Sequence, residues 1–188
     1  MFTIRFARVF LFFGFLMIGL SPSTGEEPKR MLGEIDARLV RPKVDRFETC
    51  ELGQLRTMEY VVLYFSAHWD ERSKKATPEL VDFYHQTRRT HDNFEVVFIS
   101  ADKDEVEMLR YMNGYRMPWV ALDFEGRKDV EGILKHAGRA IPCVAVLDTK
   151  GKVVAHSFEK GKYQGVLKPM ETMKRLLDAQ ASQLVSMR

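Results

Sequence analysis

The sequence predicts an α/β protein built on a central mixed sheet flanked by helices. Three observations carry this. Three runs, 61–66, 94–100 and 142–147, read as strands, the first apolar on both faces and so central in a sheet. Helical stretches with apolar residues at three- and four-residue spacing separate them. The chain then turns through a hairpin and ends in one more amphipathic helix, a strand–helix alternation that makes a layered sheet rather than a bundle or sandwich.

The elements follow in order. Arg5 and Arg8, the uncharged run from Val9 to Leu20 and the small residues Ser21–Gly25 have the charge–apolar–small order of a secretory signal over 1–25, with cleavage after Gly25. The alternative is an uncleaved membrane anchor, but the apolar run is shorter than the ~20 residues a bilayer span requires. Residues 26–58 read as an N-terminal arm, polar and irregular to Arg46 with Pro28 and Pro42 as breakers, and a hairpin near Leu39 to Leu52. The domain proper is placed at 59–180, with a tail at 181–188. Within it, Val61–Ser66 is the first strand. A helix from about Asp70 to Thr90 carries Leu80, Val81, Phe83 and Tyr84, with Pro78 inside it. Phe94–Ser100 is the second strand. Asp104–Tyr111 is a short helix with Val106, Leu109 and Met112 on one side, and Val130–His136 is another. Pro142–Leu147 is the third strand; Asp148-Thr149-Lys150-Gly151 turns it into Val153–His156. Leu167–Ala179 closes the chain.

Composition bounds the function. The chain has 188 residues, 45% hydrophobic and 29% charged, which suits one compact domain. The formal charge of +3 falls toward neutrality without Arg5 and Arg8, so nothing points to nucleic acid. The five histidines have no metal-ligand spacing and no phosphate-binding glycine motif occurs, so no metal or cofactor is expected. The two cysteines, Cys50 and Cys143, could pair in an exported protein, but sequence does not give their separation.

The most telling stretch is Leu63-Tyr64-Phe65-Ser66-Ala67-His68-Trp69 followed by Asp70-Glu71-Arg72-Ser73. It resembles the strand that leads into the W-C-P-P-C site of the tryparedoxin and nucleoredoxin branch of the thioredoxin superfamily. Thr77-Pro78-Glu79-Leu80-Val81-Asp82-Phe83-Tyr84, Phe94–Asp102, Met117-Pro118-Trp119-Val120-Ala121-Leu122-Asp123-Phe124 and Ala140-Ile141-Pro142 resemble further segments of that family in the same order, from about Val61 to Leu177. The resemblance implies a thioredoxin-like three-layer fold. It implies that Pro142 is cis and faces the helix start, and that a substrate peptide lies beside it. Tyr64, Trp69, Met117, Trp119 and Pro142 are the candidate groove; Tyr64 and one tryptophan could equally be core residues.

The departure falls on the chemistry. Where the family has two cysteines, one attacking a disulfide and one resolving it, this chain has Asp70 and Ser73. The motif at Trp69, Asp70 and Ser73 is therefore degenerate. Asp70 reads as a helix N-cap, its carboxylate facing free N–H groups and the positive end of the helix dipole. Cys143, directly after Pro142, is either a small buried strand residue or a reactive single thiol, with His68 as the nearest candidate base. The chain is thus expected to be an exported (periplasmic or secreted) thioredoxin-like protein that binds a peptide or protein without disulfide exchange. The alternative is residual thiol–disulfide activity through Cys143.

Overall fold

In the computed structural model, the described residues are 26–50, 53, 55–130 and 132–187. The signal-like segment 1–25 lies outside them. The elements are α1 (Glu26–Asp36), β1 (Leu39–Pro42), β2 (Phe47–Thr49), a 3₁₀ turn at Leu55–Thr57, β3 (Tyr60–Ser66), α2 (Glu71–Arg88), β4 (Phe94–Ser100), α3 (Glu105–Gly114), β5 (Val120–Leu122), α4 (Gly126–Asp129), a 3₁₀ turn at Ile133–His136, β6 (Cys143–Asp148), β7 (Val153–His156), β8 (Phe158–Glu159), β9 (Lys162–Tyr163) and α5 (Leu167–Ser186).

Seven strands form one sheet in the order β2-β1-β5-β4-β3-β6-β7, while β8 and β9 form a separate two-stranded ribbon. β3, β4 and β5 run parallel; β6 is antiparallel to β3, and β7 to β6. This is the mixed sheet that the alternation of elements predicts. Every residue of β3 and β4 is buried, because helices cover both faces.

The two-residue period of a strand divides the core into two layers. Val62, Tyr64, Val96, Phe98, Val144 and Val146 meet α2, α3 and α5 through Leu80, Tyr84, Met108, Tyr111, Met170 and Met173. Val61, Leu63, Phe65, Val97, Ile99 and Ala145 meet α1 and its neighbours through Met31, Ile35, Leu55 and Ile133 on the other face. Among the described residues, no helix is long and apolar enough to cross a membrane.

Several expectations are corrected. The segment read as an irregular arm begins with α1, whose Met31 and Ile35 are buried. Those two apolar residues lie one turn apart among charged neighbours, a stripe too narrow to stand out, and Pro28 falls in the first turn, where its missing N–H costs no helical bond. The hairpin beyond it is present, with Val40 opposite Thr49 and Pro42 opposite Phe47. In α3 the buried side is Met108, Tyr111 and Met112, while Val106 is exposed. The helix expected over 130–136 is reduced to a 3₁₀ turn, preceded by Gly132 at φ +77, a left-handed conformation that no helix interior accepts. Helix α5 runs on through Ser186, where a tail was expected.

Ile35 is fully buried, so Ile35→Ala should destabilise the protein by about 2–4 kcal/mol in urea unfolding. A cost below about 0.5 kcal/mol, the size of an ordinary surface substitution, would show that α1 does not dock.

Candidate functional site

β3 ends at Ser66, and the turn Ala67-His68-Trp69 delivers the chain to Asp70 at the start of α2. Asp70 has extended backbone geometry, φ −92 and ψ 118, as an N-cap requires. Its Oδ2 accepts two hydrogen bonds from Ser73, one from the backbone N–H and one from the hydroxyl, each 2.8 Å long. The first helical bond, from Lys74 N–H to the Asp70 carbonyl, closes behind them. Arg72 reaches Asp70 Oδ1 only at 3.5 Å and leaves most of its side chain in solvent. The two residues that stand in the cysteine positions are therefore bonded to each other, and Ser73 is fully buried.

Beneath this turn lies a buried hydroxyl network. Thr77 Oγ1 donates to the Ser73 carbonyl at 2.8 Å, so its lone pairs must accept from the Tyr64 hydroxyl at 2.8 Å and the Tyr111 hydroxyl at 2.6 Å. Tyr111 in turn accepts from Ser66 at 3.0 Å. Burial raises the ionisation of both tyrosines, so they remain neutral donors.

The end of β4 clasps the turn from the side. Ala101 N–H donates to the Ser66 carbonyl, His68 N–H to Asp102 Oδ1 at 2.7 Å, and Trp69 Nε1–H to the Ala101 carbonyl at 3.0 Å. Ser100 donates to the other Asp102 oxygen. Burial raises the Asp102 carboxyl, and the bonds from Ser100 and His68 oppose that shift. Trp69 is held by its ring N–H yet is 54% exposed.

On the far side, the Ile141–Pro142 peptide is cis. Phe65 pairs with Cys143, so the register carries Pro142 to the Ser66 end of β3, beside the helix start. Cys143 itself is fully buried, and burial pushes its thiol up to about 12. The His156 ring lies beside it, with Nε2 3.7 Å from Sγ. His68 does not pair with Cys143; its ring lies against Tyr111. Nor is His156 an available base. Its Nδ1 accepts from Phe158 N–H at 2.9 Å, so the proton belongs on Nε2, which faces the His136 carbonyl at 3.0 Å. Cys50 and Cys143 are both free thiols, so the disulfide left open by the sequence is not formed.

The candidate groove is also corrected. Tyr64 and Trp119 are completely buried and pack edge to face in the core. Met117 is buried too, and it enters β5 from the opposite end of the parallel strands, because Val120 pairs with Val97 in mid-strand. Of the five proposed residues, the structure brings only Trp69 and Pro142 to the site, and of these only Trp69 is exposed, Pro142 being buried.

The residues that sequence reasoning missed come from the β8–β9 ribbon. Ser157, fully buried, anchors it to β6 by exchanging bonds with Val144. Phe158 lies over Gly138 and Cys143. A Cβ on Gly138, which has φ +66, would come within 2.7 Å of the Phe158 ring and 3.2 Å of Sγ. Tyr163 packs at a tilt against Phe158 with centroids 5.2 Å apart, close enough to Asp70 and Arg72 to feel their charges. Lys160-Gly161 between two aromatics was the available signal; both residues have positive φ, as a tight ribbon turn requires.

A family model described as thioredoxin-like matches residues 58–153, and the chain belongs to that family. Its kinship is with nucleoredoxins and tryparedoxins. It is 45% identical over 65 residues to probable nucleoredoxin 3 of Oryza sativa subsp. japonica, covering 35% of this chain and 13% of that protein. It is 38% identical over 89 residues to tryparedoxin of Trypanosoma brucei brucei, covering 47% of this chain and 60% of that one. The chain thus spans less than two thirds of either relative. The crystal structure of native tryparedoxin I from Crithidia fasciculata superposes with a TM-score of 0.55 at 30% identity, over 69% of this chain and 85% of that one. With only two cysteines, at 50 and 143, this member has no C-x-x-C pair.

Replacing Asp70 by Ala should cost about 1 kcal/mol in urea unfolding, and replacing it by Asn only a few tenths, since Asn retains the capping acceptor. Equal losses for the two variants would mean that the cap is not the source of the effect. With a thiol pushed up to about 12, Cys143 in the folded protein should resist iodoacetamide throughout the neutral range and react at the ordinary rate once unfolded. Rapid labelling of native Cys143 near pH 7, read by peptide mass, would contradict the burial described here.

Proposed function

We propose that this protein is an exported binding module that docks a peptide or protein partner around Trp69 and Pro142 without exchanging disulfides. One observation carries the reading. Among the described residues, the large hydrophobic side chains left exposed include two aromatics, Trp69 at 54% and Tyr163 at 47%, and both flank the Asp70 helix start. Trp69 is held by its ring N–H and Tyr163 by its contact with Phe158, and aromatic residues are enriched among the anchors of protein interfaces. Export is supported by the order of Arg5, Arg8, the run from Val9 to Leu20 and the small residues to Gly25, and would take the protein to the periplasm or outside the cell.

The chemistry of the site supports binding over turnover. A carboxylate cannot attack a disulfide as a thiolate does, and the Ser73 hydroxyl is already donated to Asp70. Thiol chemistry at Cys143 would need ionisation that burial opposes and a base that His156 does not supply.

An insulin-reduction assay with dithiothreitol should run at the background rate, while the wild-type protein should retain a discrete partner from the native envelope that Trp69→Ala loses. Clear turnover would refute the non-redox reading, and equal retention by Trp69→Ala would refute the docking site.

A further inference from the structure

We infer that the surface around Trp69 and Tyr163 takes an acidic segment of a partner protein; this rests on the docking reading above and names the chemistry of the partner. Three elements meet there, and each brings cations to the rim. The first turn of α2 brings Arg72, whose side chain is 67% exposed. The loop before Pro142 brings Arg139, exposed, one residue after the Gly138 that abuts Phe158. The β8–β9 ribbon brings Lys160 and Lys162, both exposed, on either side of its turn and next to Tyr163.

The acidic groups in the same region are largely engaged. Asp70 is bonded to Ser73, and Glu71 holds Lys74 at 2.7 Å. Glu159, exposed and opposite Lys162 in the ribbon without an ion pair between them, offsets only part of the positive charge there. Arg139, Lys160 and Lys162 form no ion pair with any described residue. The result is two exposed rings bordered by a net positive charge, which favours carboxylates flanking an apolar anchor and disfavours basic partners. A nucleic acid would also present negative charge, but four cations without a phosphate-cradling loop in a chain of near-neutral balance are a poor match to a polyanion.

The test uses synthetic peptides of equal length in which Phe alternates with Glu, Ser or Lys, and a single-stranded oligonucleotide as a further probe. Trp119 is fully buried, so changes in tryptophan emission report on Trp69. The Glu peptide should bind saturably, with affinity that falls as salt rises. The double charge reversal Arg139→Glu, Lys162→Glu should weaken it by roughly tenfold with an unchanged thermal midpoint. If the Ser or Lys peptide binds as tightly as the Glu peptide, or the reversed variant binds undiminished, the charge assignment is overturned while docking stands. If the oligonucleotide binds more tightly, the partner class is overturned. If no probe perturbs Trp69, the acidic-segment inference falls, and the Trp69→Ala comparison decides separately whether docking falls with it.

Discussion

The hydrogen bonds between Asp70 and Ser73 are the interaction on which this site depends. A helix start presents unsatisfied N–H groups and a partial positive charge, and something must answer both. In a dithiol protein of this fold the same position favours a thiolate. Here a carboxylate meets the same electrostatic demand, accepting the Ser73 amide and hydroxyl together. The substitution preserves what the helix needs and removes what electron transfer needs. That is why the surrounding scaffold, including the cis Ile141–Pro142 peptide and the hydroxyl network under Thr77, can persist around a site with no sulfur at its centre.

The clasp from the end of β4 holds an aromatic ring on the surface beside this cap. Asp102 and the Ala101 carbonyl fix the His68-Trp69 turn through a backbone and a ring N–H. Trp69 is thereby held in place without being buried, so the docking proposed above would leave little of this turn to order. The β8–β9 ribbon, tied to β6 through Ser157, places Tyr163 opposite and covers Cys143 with Phe158. One small ribbon thus packs over Cys143 and supplies the second exposed ring.

Much of the fold was legible because its strongest signals are local. The runs at 61–66, 94–100 and 142–147 are short and rich in β-branched and aromatic residues, and the first is apolar on both faces, as a central strand is. Asp70 as N-cap was legible for a similar reason, since cap chemistry is decided within four residues. What failed was whatever depends on tertiary contact. Helix α1 buries two side chains in an otherwise charged stretch, and β5 is three residues long. Tyr64 and Trp119 were read toward the groove because they sit in motifs near Pro142 in the family pattern; strand alternation in fact turns both into the layer beneath α2. The partner ring of Cys143 was misjudged because His68 is near in the motif, while His156 arrives from the next strand through the β6–β7 pairing.

The claim that most of this rests on is the absence of a two-electron couple in a thioredoxin-like scaffold, and it can be measured without knowing the partner. The protein would be equilibrated across a series of dithiothreitol redox buffers, quenched with an alkylating agent in denaturant so that both thiols are reachable, and weighed intact. The account predicts a single alkylation state at every poise, with Cys50 and Cys143 never joined. A midpoint at which the protein loses two hydrogens and both thiols become protected together would contradict it.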